Sequence, residues 1–390
     1  MSSSHPKRPL PPLTKVMLGT MTWANQCDEK GSFAQLDEFV KLGGVWIDTA
    51  ELYPVPPTLE KGGDTETLIG KWIAKHPELR SRVAIATKVA GPTVAGNVAK
   101  KRELVLEGKM PDHVNGNDLT AEEIERALDA SLKRLQTDYI DLYQLHWPSR
   151  PVPLWGRDAF TEVMHKGAYG MRPTGSPNDR EGVPFDDIVR CMGELIRKGK
   201  ILAWGLSNET PFGVTRFCES AKKLGVPLPL TIQNDFSLLD RRFDGPLAEA
   251  ASYYGVKLLA YGPLSGGTLS GKYLQDKGSL QPQTPSDDWR HHKFPQFQPR
   301  YHAERAVEAT RKYAEVAKKH NLTLVQLALG WAATRYYMGS VIITANTVKE
   351  MVDDFRAVEE GPKNITLDVC HAINAIHEER PNPNVTYSEL

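Results

Sequence analysis

Eight short apolar segments recur along the chain, and each is followed by residues with the periodicity of a helix. The eight segments are KVMLGT, VWI, RVAIATK, YIDLYQLH, ILAWGLSN, LTIQN, VKLLAYG and SVIIT. Strands that are buried on both faces read as continuous apolar runs, which is typical of parallel sheets. Eight such strands alternating with helices predict an α/β fold, a (β/α)8 TIM barrel. An open doubly wound sheet is the alternative, but no GxGxxG motif follows the first strand.

Polar residues beside the apolar segments set several predicted helix boundaries. A Ser or Thr followed three residues later by Glu or Gln is the pattern of a capping box. The chain has this pattern at Ser32 with Gln35, at Thr120 with Glu123 and at Thr347 with Glu350. We therefore predict helix starts at these places, a stop at Gly43, and a terminal helix near residues 368–377. A helix is also predicted from about Asp64 to Lys75, where apolar residues fall at helical spacing.

The charge balance and the lengths of the apolar runs argue against two classes of partner, nucleic acids and membranes. Lys+Arg and Asp+Glu both count 48 among 390 residues, so the formal net charge is zero. A nucleic-acid-binding protein normally carries a basic excess or a basic stripe, so we expect no nucleic-acid partner. No apolar run approaches the ~18 residues that span a membrane, so we expect no membrane partner either.

The length fits one large α/β domain or two smaller ones. We interpret residues 1–13 as a flexible tail and residues 14–390 as a single barrel domain. Three long connections are predicted within it, at 89–118, 147–183 and 265–300. The tail has no apolar segment of the kind that a secretory signal needs. Its two remaining interpretations are a plain tail and an organelle transit segment.

The four cysteines indicate a reducing compartment. They are Cys27, Cys191, Cys218 and Cys370, which lie far apart and form no CxxC pair. That spacing suggests neither a disulfide framework nor a zinc site, so we expect small buried hydrophobic residues. Together with the missing secretory signal, this predicts a cytoplasmic location.

Polar side chains stand at the ends of several apolar strands. In a parallel barrel the carboxyl ends of all strands face one mouth, where active sites form. Asp48 and Tyr53 follow the second strand, Lys88 ends the third, and His146 ends the fourth. A buried ammonium needs a partner, and Asp48 can be that partner. Two interpretations are open: a proton-transfer site, or a structural Asp48–Lys88 ion pair with His146 merely hydrogen-bonded nearby.

The residues at these strand ends resemble the aldo-keto reductase family. The stretches that carry the resemblance are GTMTW at 19–23, IDTAELY at 47–53, ATK at 86–88, DLYQLHWP at 141–148, GLSNE at 205–209, IQN at 232–234 and SGKY at 270–273. The stretches AELYPVPP and SLKRLQTDYIDLYQLHWP are similar to the Tas-type bacterial branch of that family. The resemblance spans about residues 15–378 and implies reduction of aldehydes or ketones by hydride transfer.

The resemblance implies a role for each of the four polar residues. Tyr53 matches the general acid, and Asp48 and Lys88 match the pair that tunes its pKa. His146 matches the residue that orients the carbonyl. A phenol has a pKa of about 10, and an ammonium about 4 Å away favours the phenolate by roughly 4 kcal/mol at an effective dielectric constant of 20. We therefore expect Lys88 to lower the pKa of Tyr53 by up to roughly three units.

The resemblance also implies a nicotinamide cofactor, NADPH by family habit, with NADH as the alternative. Ser207, Asn208 and Gln233 match the residues that hold its carboxamide, and Tyr261 matches the aromatic residue that stacks on its ring. The full set implied to contact the cofactor is Gly19, Thr20, Met21, Asp48, Ser207, Asn208, Gln233, Tyr261, Gly262, Leu264, Gly266, Lys272, Arg290, Asn346, Lys349, Glu350, Asp353 and Asp354.

The last strand and helix depart from the family pattern. Glu350 lies where the family contacts the adenosine 2′-phosphate, and a carboxylate there would repel a dianion. The alternative interpretation of Glu350 is its capping box with Thr347. Lys349 and the helix N-terminus would still attract a phosphate. The Asp353-Asp354 pair stands where Glu-Asn is more usual near the adenine.

The main functional hypothesis is NADP(H)-dependent reduction of a small-molecule carbonyl. The three long loops leave the barrel mouth and are predicted to wall the pocket, with Trp23 and Trp147 as candidate substrate contacts. An alternative from another class is a nucleotide-binding regulatory subunit, because the potassium-channel β subunits share this fold. A metal-dependent hydrolase or isomerase is disfavoured, since the strand ends carry no HxH or carboxylate cluster, and no metal site is predicted.

Overall fold

The computed structural model describes residues 9–58, 60–92, 119–161, 182–274 and 289–386. A part of each predicted long loop lies outside these ranges, namely residues 93–118, 162–181 and 275–288. Residues 1–8 of the predicted tail lie outside them too.

Eight parallel strands close into a barrel. Their bounds are β1 Val16–Gly19, β2 Trp46–Asp48, β3 Ala84–Val89, β4 Ile140–Leu145, β5 Ile201–Ser207, β6 Thr231–Asp235, β7 Lys257–Tyr261 and β8 Met338–Ile343. Each strand pairs with its neighbours in sequence, and β8 pairs with β1. The predicted (β/α)8 barrel is therefore confirmed, and all eight carboxyl ends open at one mouth.

The strands alternate between two apolar environments. Trp46 and Ala86 belong to a cluster inside the barrel, whereas the intervening side chains pack outward against the helices. Because side chains of a strand repeat with a period of two, Asp48 and Lys88 also point inward, one layer closer to the mouth. Gln144 lies opposite Lys88 in the register of β3 and β4. A polar layer thus sits directly on an apolar barrel interior.

Helices surround the barrel. Their bounds are α1 Glu29–Lys41, α2 Asp64–Lys75, α3 Ala121–Leu135, α4 Phe185–Arg197, α5 Pro211–Leu224, α6 Pro246–Tyr254, α7 Arg290–Lys293, α8 Glu304–Lys319, α9 Leu324–Ala333, α10 Val348–Glu360 and α11 Leu367–Glu379. The bounds predicted for α2 are confirmed, and the predicted terminal helix is α11. Over the ranges described above, no helix is both long and apolar enough to cross a membrane.

Two of the predicted helix starts are confirmed by hydrogen bonds. The Thr347 hydroxyl accepts the Glu350 N–H at 3.1 Å, and the Glu350 carboxylate accepts the Thr347 N–H at 3.3 Å. This reciprocal pair is a complete capping box at the start of α10. The Thr120 side chain accepts the Glu123 N–H at the start of α3.

The third predicted start, at Ser32 with Gln35, is wrong. α1 begins at Glu29, and its N-cap is Asp28, whose carboxylate accepts the Gly31 N–H at 2.8 Å. The Ser32 hydroxyl donates to the Asp28 carbonyl instead. Asp is at least as good an N-cap as Ser, so the earlier residue starts the helix.

Residues 9–13, which belong to the predicted tail, pack beneath the barrel. Leu10 and Leu13 contact the inward-facing cluster that contains Trp46. The Trp46 indole Nε1–H donates to the Pro12 carbonyl at 2.9 Å. These residues therefore close the end of the barrel opposite the mouth.

The cysteines agree with the prediction at three positions. Cys27, Cys191 and Cys218 are buried, and all four thiols are free. Cys370 is only half-buried, because it lies on α11 at the outside of the barrel.

A buried ion pair joins α2 and α3 to the barrel. Glu66 of α2 is 0% exposed, and its carboxylate accepts the Arg134 Nε–H of α3 at 2.6 Å and the Thr87 hydroxyl of β3 at 2.5 Å. The two helices are in close contact here, since a Cβ at Gly70 would lie 2.1 Å from the Arg134 carbonyl oxygen. The pair therefore fixes both helices against the strand that carries Lys88.

Replacing Glu66 by Ala tests this assignment. The change leaves the Arg134 guanidinium buried without its partner, so the free energy of unfolding should fall by about 3–5 kcal/mol. Glu66→Gln should cost less, because the amide keeps an acceptor for Thr87. Glu29→Ala, which breaks the exposed pair with Lys71, is the control and should change little. Urea denaturation measures all three, and equal losses for the two alanine variants would contradict the assignment.

Candidate active site

The four polar residues predicted at the strand ends meet at the barrel mouth. Lys88 Nζ donates to Asp48 Oδ2 at 2.8 Å and to the Thr49 carbonyl at 2.7 Å. Its third contact is the Tyr53 hydroxyl oxygen at 3.3 Å. Lys88 is 0% exposed, so all three ammonium hydrogens find acceptors inside the protein. The His146 ring stands edge-on to the Tyr53 ring, with centroids 5.7 Å apart.

The turn after β2 brings Tyr53 back over the mouth. The Tyr53 N–H donates to the Ala50 carbonyl at 3.1 Å, and the Tyr53 carbonyl accepts the Gly63 N–H at 2.9 Å. The ring packs against Ala50 and Val55. With its backbone held on both sides, the Tyr53 side chain has a fixed direction toward Lys88.

The pKa of Tyr53 is shifted in the direction opposite to the one predicted. Burial raises the pKa of this phenol well above 10, the Asp48 carboxylate adds to the rise, and Arg290 opposes it. Burial also lowers the pKa of Lys88, while Asp48 opposes that shift. The expected lowering considered the ammonium alone, whereas loss of water around a buried phenol is the larger effect. Tyr53 is therefore protonated at neutral pH.

Two amide side chains support Asp48 from within the barrel. Gln233 Nε2 donates to Asp48 Oδ1 at 2.8 Å, so both carboxylate oxygens have a donor. Gln144 Oε1 lies 3.5 Å from the same Gln233 nitrogen. Sequence reasoning missed Gln144. The signal was the two-residue period of β4, which puts Gln144 on the same face as His146.

His146 is a neutral group at the mouth. Burial lowers the pKa of its imidazole well below 6.5, and the Lys88 charge lowers it further. Its Nδ1 has no hydrogen-bond partner among the described residues. The His146 carbonyl accepts the Asn208 side-chain N–H at 2.9 Å, which ties the end of β4 to the end of β5.

The residues predicted to hold a carboxamide are already connected to one another. The Ser207 hydroxyl donates to the Gln233 carbonyl at 2.8 Å. The Tyr261 hydroxyl donates to Asn208 Oδ1 at 2.7 Å. Asn208 adopts a φ of 52°, a left-handed conformation that Asn tolerates better than most residues. Their contact with a cofactor stays a prediction.

A cleft of about 1210 Å³ runs from the mouth along β8 and α10. This volume exceeds the usual range for sites of small ligands and suits a long one. Eleven of the residues implied to contact a cofactor line it, namely Met21, Gly262, Leu264, Gly266, Lys272, Arg290, Asn346, Lys349, Glu350, Asp353 and Asp354. Gly19 and Thr20 are buried behind its wall, where the Thr20 hydroxyl donates to the Asp48 carbonyl.

The catalytic candidates stand beside this cleft and not in it. Its described lining includes neither Tyr53 nor His146, nor the group at Ser207, Asn208, Gln233 and Tyr261. Met21 is the link between the two regions, since it lines the cleft and also packs against the Tyr53 cluster. A ligand that filled the cleft would reach the four polar residues with one end only.

Two polar residues in the cleft wall were not predicted from the sequence. Thr22 and Gln26 both line the cleft. The Thr22 hydroxyl and both amide atoms of Gln26 are shielded from solvent and make no hydrogen bond with the described residues. Buried polar groups without partners cost free energy, so these atoms mark a place where a polar ligand fits. Neither Thr22 nor Gln26 lies at a predicted strand end or helix cap, so the sequence patterns did not indicate a role for them.

Lys272 and Arg290 are two of the cations that line the same cleft. Burial lowers the pKa of Lys272, and the carboxylates of Glu350 and Asp354 oppose that shift. Burial likewise lowers the pKa of Arg290, whose Nη2 donates to Gln298 Oε1 at 3.2 Å. Both side chains are suited to phosphate groups, because charge-assisted hydrogen bonds are strong where water is partly excluded.

The charges at the far end of the cleft already have partners within the protein. Glu350 Oε2 accepts the N–H groups of Asn346 at 3.0 Å and Thr347 at 3.3 Å. Lys349 pairs with Asp353 at 2.5 Å. The capping interpretation of Glu350 is confirmed, and its carboxylate occupies backbone donors that would otherwise be open to an anion.

Comparison with known proteins gives the family. The model of the Aldo/keto reductase family matches residues 15–375. The chain belongs to this family. Protein tas from Escherichia coli (strain K12) is 37% identical over 361 residues, which cover 93% of each chain. The similarity to the Tas-type branch is confirmed.

More distant relatives of this aldo/keto reductase carry functional names. Aflatoxin B1 aldehyde reductase member 2 from Homo sapiens is 26% identical and covers 91% of this chain and 84% of its own. A putative voltage-gated potassium channel subunit beta from Schizosaccharomyces pombe is also 26% identical, with 92% and 88% covered. Members of the Aldo/keto reductase family typically use NAD(P)H and act on small-molecule carbonyls. An oxidoreductase role is thereby supported.

The two tryptophans proposed as substrate contacts of this reductase differ in position. The Trp147 ring lies 5.0 Å from the His146 ring and 5.6 Å from Trp155, which is 48% exposed. Trp23 is 0% exposed within the main hydrophobic core, and its contact with a substrate stays a prediction. The segment after β1 turns back on itself, with the Ala24 N–H bonded to the Cys27 carbonyl, and so buries Trp23.

Buried neutral histidines make the stability of this reductase pH-dependent. His291 is 5% exposed, and burial lowers its pKa from 6.5 to about 3. Below pH 6.5 the unfolded chain binds a proton at this residue and the native protein does not, so stability present above pH 6.5 is lost as the pH falls toward 3.

We expect His291→Asn to reduce the loss in the free energy of unfolding between pH 7 and pH 5 by about 2 kcal/mol. Urea denaturation at both pH values, with the exposed His371→Asn as control, measures it. An unchanged loss in His291→Asn would contradict the assignment.

Proposed function

We propose that this oxidoreductase reduces aldehydes or ketones to alcohols with NADPH. The observation that carries the proposal is the 3.3 Å contact between the Tyr53 hydroxyl and the buried Lys88 ammonium, beside His146. A phenol and an imidazole on one rim offer two hydrogen-bond donors to a single carbonyl oxygen. The nicotinamide supplies the hydride when it is bound, because no side chain can do so.

Proton transfer is assigned to Tyr53. In the direction of reduction the carbonyl carbon gains the hydride, and the oxygen takes the Tyr53 proton to become a hydroxyl. The phenolate left behind lies next to the Lys88 charge, which stabilises it, and a proton from water restores the phenol. The high pKa of Tyr53 keeps the proton in place until negative charge develops on the substrate oxygen.

Supporting residues hold this arrangement. Asp48 fixes the Lys88 charge at 2.8 Å and is itself held by Gln233. His146, which burial keeps neutral, can donate a hydrogen bond to the carbonyl without adding a positive charge to the site.

The cleft supports a dinucleotide as the cofactor. Lys272 and Arg290 would pair with the phosphates of the dinucleotide. The side-chain amide of Gln26, which has no hydrogen-bond partner among the described residues, would bond to the dinucleotide. Ser207 and Gln233 would contact the carboxamide, with Tyr261 against the ring. NADPH is preferred by family habit, although Glu350 weakens any attraction for a 2′-phosphate.

A nucleotide-binding regulatory subunit is the second candidate. It is favoured by the similarity to the putative potassium channel subunit of Schizosaccharomyces pombe, at 26% identity. The complete set of Tyr53, Lys88, Asp48 and His146 favours catalysis over a role in binding alone. For a metal-dependent reaction, the described part of the chain offers no cluster of three or more His, Cys, Asp or Glu that could hold an ion.

Replacing Tyr53 by Phe tests the assignment of the proton donor. The variant keeps the ring and loses the hydroxyl, so turnover should fall by about a thousandfold while the dissociation constant of NADPH changes less than about twofold. Stopped-flow reduction of a panel of aldehydes, with nucleotide binding followed by fluorescence, measures both. Tyr254→Phe, on the outer helix α6, is the control. Full turnover in the Tyr53 variant would refute the assignment.

Replacing Glu350 by Gln tests the cofactor preference. The amide oxygen can still accept from the N–H groups at the start of α10, and the negative charge near the 2′-phosphate is gone. We expect NADPH to bind about two- to fivefold tighter and NADH to be unaffected. Glu359→Gln on the same helix, a residue outside the cleft lining, is the control. Equal effects on the two nucleotides would argue against contact with the 2′-phosphate.

A further inference from the structure

The chain continues beyond α11 and returns to the barrel mouth. Residues 380–386, termed here the C-terminal strap, contact the turn that begins at Ser265 and the segment that contains Gly156. Asn384 is 0% exposed and Val385 is 4% exposed. Terminal residues are usually exposed unless they are tied down, so this burial calls for an explanation.

The outer part of the strap is anchored to the body of the barrel. Arg305 of α8 donates from Nε to the Pro383 carbonyl at 2.7 Å and from Nη2 to the Val385 carbonyl at 2.9 Å. The Asn382 side chain accepts the Arg241 N–H at 2.7 Å. These three hydrogen bonds hold the strap against α8 and against the segment that contains Arg241.

One side chain of the strap reaches the nucleotide side of the mouth. Asn384 Nδ2 donates to the Ser265 hydroxyl at 3.0 Å, and the same hydroxyl lies 3.0 Å from that of Ser237. Ser265 starts the turn Ser265–Ser270, which contributes Gly266, Gly267 and Ser270 to the cleft wall. Its φ of 49° is costly for a residue with a Cβ, and such a conformation persists only where neighbouring contacts hold it.

The end of the strap reaches the opposite side of the mouth. The Thr386 N–H donates to the Gly156 carbonyl at 2.7 Å. Gly156 and the preceding Trp155 both have positive φ, at 85° and 58°. A Cβ at Gly156 would lie 2.2 Å from Arg300 Cδ, so the turn is pressed against a buried side chain. This turn carries Trp155, whose ring packs on Trp147 beside His146.

We propose that the C-terminal strap positions two loops of the active site, and that Asn384 is the positioning residue for the nucleotide-binding turn Ser265–Ser270. The inference rests on the proposed use of a pyridine nucleotide. Asn384 acts through Ser265 and touches no reacting atom. Its loss should therefore weaken binding of the nucleotide and leave the chemical step intact at saturation.

The test compares Asn384→Ala with a matched variant, Asn374→Ala. Asn374 lies on α11, outside the strap, and its side chain accepts a hydrogen bond from the Arg241 guanidinium, whereas the strap is held by the Arg241 backbone N–H. We expect Asn384→Ala to raise the dissociation constant of NADPH about tenfold and to leave kcat at saturating NADPH within about twofold. Asn374→Ala should change neither quantity. An unchanged dissociation constant in Asn384→Ala would overturn the proposal.

Hydrogen exchange of the free protein gives a readout that needs no nucleotide. Peptides that cover Ser265–Ser270 should exchange faster in Asn384→Ala than in Asn374→Ala, and equal exchange would overturn the role of the strap. If the unaltered protein binds neither NADPH nor NADH, the proposed function fails, and this exchange comparison still decides whether the strap holds the turn.

Two further variants cover the case in which Asn384→Ala does not fold. Ser265→Ala removes the same hydrogen bond from the other side, and it should reproduce the tenfold weakening. A chain that ends after Glu379 loses the whole strap, whereas one that ends after Thr386 keeps it. Weakened NADPH binding in the first chain alone supports the proposal, and equal binding by both refutes it.

Discussion

The buried ammonium of Lys88 is the charge on which the active site depends. No water reaches it, so its stability in the barrel relies on Asp48, the Thr49 carbonyl and the Tyr53 hydroxyl. These acceptors come from β2 and the turn that follows, and Asp48 is held in turn by Gln233 on β6. The closed barrel sets the distances between those strands. The requirement to satisfy one charge therefore aligns the groups that a carbonyl substrate would meet.

Features that depend on local sequence could be predicted well. Eight apolar runs gave the barrel, and the bounds of α2 and the capping box of α10 followed from spacing alone. The meeting of Asp48, Lys88, Tyr53 and His146 followed from counting strands, because parallel strand ends share one mouth. The failure at Ser32 was also local, since Asp28 lies close enough to cap the same helix one turn earlier.

Features that depend on the burial of individual side chains could not be predicted from the sequence. The direction of the Tyr53 pKa shift is set by lost hydration, which no motif reports. Trp23 stands in a stretch of the sequence that also contains Thr22, Asn25 and Gln26, and yet it lies in the core. The unpaired amide of Gln26 depends on how the surrounding backbone folds, and no sequence pattern indicates it.

Residues 9–13, at the end of the barrel opposite the mouth, bear on the electrostatic environment of the polar layer at the mouth. Leu10 and Leu13 pack against the apolar cluster that contains Trp46, on the side of the polar layer away from the mouth. A ligand that covers the mouth therefore changes the dielectric environment of Lys88, Asp48 and Tyr53 together. Binding of a ligand at the mouth and the acidity of the Tyr53 phenol are therefore linked by the position of Tyr53 at the mouth.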